Sequence, residues 1–123
     1  MKTVRVVNRT RQSVLAEQCE VADNLWTRVR GLLGRSGLAQ NSGLLIVPCP
    51  SIHMFGMKFA LDAVFIDREN VVVDFVESLA PGKMFVARPL PDGEEKRKAH
   101  AAIELPTGTI ARTQTQRGDT LEL

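Results

Sequence analysis

Residues 61–79 read LDAVFIDRENVVVDFVESL, and this stretch decides the fold. Leu61–Ile66 is a short apolar run with β-branched and aromatic residues, too short for a globular helix and interrupted only by Asp62. Asp67–Asn70 is polar and turn-like. Val71–Leu79 then returns to the same apolar, β-branched character. Two such runs across a short polar turn read as a hairpin.

Outward from this hairpin, the same alternation of short runs and turns continues. Towards the N-terminus, Thr3–Val7 and Ser13–Val21 are β-rich and flank the polar segment Asn8–Arg11. Leu44–Val47 is a continuous apolar run ended by Pro48 and Pro50. Towards the C-terminus, Pro81 and Gly82 form a turn ahead of Met84–Ala87. The Pro-flanked, charged segment 89–98 reads as an exposed loop. Ala101–Leu105 is a strand, and Thr109–Thr115 and Thr120–Leu123 read as two more. One window has helical periodicity: Leu25, Trp26, Val29, Leu32 and Leu33 share a face, Asp23 suits the N-cap and Gly34 the stop. The expected product is a mainly-β sandwich or barrel with one short α-helix near residues 24–33.

Bulk properties narrow the function classes. A length of 123 residues fits a single domain, 1–123, able to bury a core without disulfide or metal. Hydrophobic content of 44% and charged content of 24% exclude a disordered chain. Net charge is +2, and there is no Tyr, so neither a phosphate-binding field nor a stacking platform for nucleic acid is expected. The N-terminal stretch has no apolar segment of signal-peptide type, and no window suits a membrane span. With two cysteines, Cys19 and Cys49, a reducing, cytoplasmic setting is expected.

The chemistry-bearing residues concentrate between Cys49 and Asp62. Cys49, His53, Met54 and Met57 are soft ligands of the kind that suit copper(I), yet the methionines also serve as core filler. A zinc site needs three or four ligands at tight spacing, and Cys49 and His53 fall short. The same pair lacks a third group for nucleophilic catalysis. Asp62 and Glu104 stand out because each lies in an apolar strand, where a charge needs a partner. Alternation puts Asp62 on a face with Val64 and Ile66, so Lys58, Arg28 or Arg30 is expected to pair with it. Arg28, Arg30 and Arg35 form a weaker anion-binding candidate, without the ending of a phosphate loop.

The run SIHMFGMKFALDAVFID at 51–67 resembles the signature of a widespread prokaryotic family of small domains, known as domain of unknown function 192. Three more blocks match in the same order: Arg28–Arg35 (RVRGLLGR), Ile103–Gly108 (IELPTG) and Gly118–Asp119. The resemblance implies a mainly-β, jelly-roll-like domain and carries no established activity. Many relatives look exported or lipid-anchored, whereas this chain begins at its first strand. Ala60 stands where the family pattern commonly has Pro.

The leading functional expectation is a small-molecule- or peptide-binding module lined by His53, Met57, Lys58, Asp62 and Glu104. An alternative is a hydrolase or lyase using Asp62 or Glu104 as base with Lys58 or His53. A third is a soft-metal or redox protein built on Cys49, His53, Met54 and Met57. No cofactor, resident metal, nucleic acid or membrane partner is expected.

Overall fold

The computed structural model describes residues 2–24 and 32–123. Its strands run in chain order as β1 (Thr3–Asn8), β2 (Ser13–Ala22), β3 (Ser42–Ile46), β4 (Ser51–His53), β5 (Leu61–Ile66) and β6 (Val72–Leu79). They continue as β7 (Met84–Val86), β8 (Leu90–Asp92), β9 (Glu95–Arg97), β10 (Ala101–Leu105) and β11 (Leu121–Glu122). A short helix, α1 (Thr109–Thr113), lies between β10 and β11.

The described strands form a seven-stranded sheet in the order β11-β1-β2-β3-β10-β5-β6, with two small ribbons, β4-β7 and β8-β9. Only β2 and β3 run parallel within that sheet. The sheet curls until its two edges touch. Val71 bridges Thr120, Leu121 N–H donates to Asn70 O at 2.9 Å, and Val72 N–H donates to Asp119 O at 2.8 Å. The mainly-β, barrel-like architecture read from the sequence is the one observed, as a curled half-barrel.

Both faces of the sheet are covered, which is why β5 reads as an almost unbroken apolar run: all six of its residues are buried. Inside the curl, Val64 and Ile66 pack with Leu15, Val72, Ile103, Leu105 and Ile110. On the outer face, Leu61, Ala63 and Phe65 pack with Leu44, Ile46 and Ala102, under Ile52, Met54 and Leu32. The ribbon β4-β7 belongs to this cover; Phe65 stacks on Phe85 at 5.7 Å between ring centroids. Met54 pins the loop after β4 through Met54 N–H to Lys83 O at 2.7 Å and Gly82 N–H to Met54 O at 2.9 Å.

Three sequence expectations change. The segment Thr109–Thr115, read as a strand from its β-branched residues, begins as helix α1. Its propensity is overridden by tertiary contacts: Ile110 is buried in the curl and its N–H is held by the Asp62 carboxylate. The charged segment 89–98 is a hairpin, β8-β9, and its turn is the Gly93-Glu94 pair, with Gly93 at φ 64°. The third is β4, a strand inside what reads as an irregular loop. The helix expected near 24–33 rests mostly on residues 25–31, which lie outside the described residues.

Candidate functional site

Asp62 is fully buried, and among the described residues its carboxylate serves backbone donors; Arg28 and Arg30, two of its expected partners, lie outside the described residues. Register between β5 and β6 slips between Leu61 and Ala63, leaving Glu77 and Ser78 as a bulge opposite Asp62. Ser78 has φ 51°, and its N–H donates to Asp62 Oδ1 at 2.9 Å. The other carboxylate oxygen, Oδ2, accepts from Ile110 N–H at 3.0 Å, in the first turn of α1. One side chain thus satisfies the free donor of a bulge and a free donor of a helix start. Lys58, named as its partner from sequence, is exposed and makes no ion pair with it among the described residues.

Glu104 faces the opposite way. Its strand neighbour Leu105 pairs with Asp62, whereas Glu104 itself pairs with Ala63 on β5 and Leu44 on β3. Ala63 and Leu44 belong to the outer-face cluster, and so does Ala102, two residues before Glu104 on the same strand. The grouping of Asp62 with Glu104 in one site therefore fails, because strand alternation sends them to opposite sides of the sheet.

The surroundings of Glu104 are apolar. Two of its flanking positions, Ala63 and Ala102, carry only alanine. Glu104 is 6% exposed and has no hydrogen bond or ion pair to a described residue. No described side-chain oxygen fully shut off from solvent lacks a partner, so this unpartnered carboxyl keeps a narrow opening. Burial pushes it up from the usual 4.5 to about 7.

Cys49 lies beside this group. Its N–H donates to His100 O at 2.8 Å, which ties the segment after β3 to the start of β10. The thiol is half-buried against the outer-face cluster and donates to Ser51 O at 2.9 Å. Burial, with a smaller contribution from the Glu104 charge, pushes it up to about 11 despite the hydrogen bond. It is a neutral thiol at ordinary pH, not an activated nucleophile.

The other sequence candidates disperse. Met54 is buried, and Met57 and Phe59 are partly buried against the outer-face cluster. His53 projects outward from β4 and stacks on the exposed Phe55 at 5.3 Å between ring centroids. Lys58 is exposed. The set Cys49, His53, Met54 and Met57 is therefore split between cover and surface. No group of three or more His, Cys, Asp or Glu side chains suited to a metal occurs among the described residues. Of the arginine cluster, Arg35 is paired with Glu20 at 3.0 Å, and Arg28 and Arg30 lie outside the described residues.

Sequence reasoning also passed over three held carboxylates. Asp74 accepts from Arg88 N–H at 2.8 Å and from Arg88 Nε at 3.1 Å, and Asp67 accepts from Arg97 at 2.8 Å. Asp119 accepts from Asn8, Arg11 and Gln116 N–H. Burial opposes ionisation in each, and the hydrogen bonds and arginines outweigh it, holding all three below the usual range. Their arginine partners already occupy them, which sets Glu104 apart.

The family model described as DUF192, Uncharacterized ACR, matches residues 6–123. The chain belongs to this family. Within DUF192 the chain is similar to a UPF0127 protein of Thermococcus sibiricus, at 30% identity over 95% of this chain and 73% of the relative. A UPF0127 protein of Pyrococcus abyssi is 28% identical over 95% of each chain. Among solved structures, a protein of unknown function from Novosphingobium aromaticivorans superposes with a TM-score of 0.75 at 24% identity, covering 98% of this chain and 85% of the other. That likeness shows the fold alone; no specific activity comes with it.

Proposed function

We propose that the domain is a ligand-binding module, for a small molecule or peptide, whose polar anchor is Glu104. The observation that supports this is a nearly buried carboxyl on a central strand, bordered by alanines, with no described partner. A charge in an apolar site normally has a partner built into the protein. Its absence here fits a group reserved for something that arrives from outside. Concave, mostly apolar sites with few polar groups are the usual form of small-ligand sites.

The enzyme alternative has less support. A carboxyl near neutrality suits proton transfer, but catalysis needs a second titratable group within hydrogen-bond reach. Cys49, the neighbouring titratable group, spends its proton on Ser51 O. A cytoplasmic setting and a ligand other than nucleic acid or membrane belong to the same proposal. The free state of Cys19 and Cys49 and the low net charge support it.

The test is a fragment screen by thermal shift on the wild type and Glu104→Gln in parallel. Ligands that raise the wild-type midpoint and lose that effect in the variant support the site. A screen whose hits are all indifferent to Glu104 removes it.

A further inference from the structure

Resting on that reading of Glu104, we infer that the ligand is an organic cation: a primary or secondary amine carried on a compact apolar body.

The argument begins with what the carboxyl lacks. Ionised, it needs a positive charge and hydrogen-bond donors, and the described residues bring neither. The strand positions beside it are Leu44, Ala63 and Ala102. From the cover, the side chains packed on this face are Ile52, Met54 and Leu32, with Met57, Phe59 and Phe85 partly buried against them. The titratable group that reaches it from the segment after β3 is Cys49, which stays protonated at neutral pH and so adds no competing charge. Arg35 is engaged by Glu20, and Lys58 points to solvent. An ammonium group supplies both the charge and up to three donors in one small unit.

The apolar side chains on this face complete the selection. Among the described residues on this face, thioethers, aromatic rings and aliphatic side chains welcome a hydrocarbon body and offer no polar partners for a sugar, a phosphate or a second charge. A bare metal ion is poorly served, since it needs several oxygen, nitrogen or sulfur ligands and finds no cluster of them among the described residues. A simple amine asks for one carboxylate and an apolar lining.

The experiment uses n-alkylamines from propyl to hexyl, and the alcohols of the same lengths, with the full chain. Affinity is measured by chemical-shift titration at pH 6 and pH 8. The amines stay protonated across that range, whereas the ionised fraction of Glu104 climbs around about 7. Amine Kd should therefore fall about tenfold from pH 6 to pH 8, and the alcohols should show no such gain. In Glu104→Gln the pH dependence should vanish and amine affinity drop at least tenfold. If that variant does not fold, the carboxyl resonance of Glu104 in the wild type decides, because a bound amine must move its titration to lower pH. Alcohols that bind in a Glu104-dependent manner where amines do not would overturn the cation and leave the site standing. Failure of both series to shift residues 61–63 and 102–106 would overturn the site as well.

Discussion

Removing the charge at Glu104 should stabilise the protein, by an amount that grows with pH. In the folded chain the carboxyl titrates at about 7 and in an unfolded chain near 4.5. Below 4.5 both states hold the proton, and Glu104 adds no pH-dependent penalty. Between the two values the unfolded chain has released its proton while the folded chain retains it, so rising pH favours unfolding. Above about 7 the penalty levels off at its full value. Each pKa unit corresponds to 1.36 kcal/mol, so the interval gives about 3 kcal/mol. Glu104→Gln keeps the shape and removes the titration. Urea denaturation of both proteins at half-unit steps from pH 4.5 to 8.5 isolates the effect, because the other carboxylates are common to both. The variant should gain on the wild type through pH 5–7 and then run parallel to it. A difference constant across the range would show that Glu104 ionises freely in the native state. A difference of opposite sign would show that a cation already pairs with it.

Asp62→Ala should destabilise the domain by about 2 kcal/mol, since the buried N–H of Ile110 and the part-buried N–H of Ser78 both lose their acceptor; a loss under about 0.5 kcal/mol in urea denaturation would refute the cap. Gly43→Ala should lower stability by about 1–3 kcal/mol, because a Cβ there meets Glu104 O and a Leu105 methyl, each at 3.0 Å; an unchanged melting temperature would show that β3 and β10 separate easily. Cys49 should react slowly with iodoacetamide at pH 7–8 and faster as pH approaches about 11, whereas an activated thiol would react fully at pH 7.

The hairpin at 61–79 was legible because its signal is local. Six apolar residues followed by a polar turn specify a strand whichever face is buried, and β5 and β10 begin and end where the sequence places them. Helix α1 was not legible, because Thr and Ile favour strand locally and the helix start is completed by Asp62, 48 residues earlier in the chain. The site was half legible for a related reason. Apolar strand context singles out Asp62 and Glu104 equally. What distinguishes them is the bulge opposite one and the alanines around the other, both properties of register between strands. Asp62 meets two backbone donors because β6 carries an extra residue there. Glu104 lies at a regular position in β10, where each neighbouring N–H is already committed to the sheet. A carboxylate opposite a bulge can be satisfied by backbone, whereas one in an unbroken central strand depends on a side chain or a ligand. The described side chains provide no such partner, so the second carboxylate carries the functional proposal and the first carries the fold.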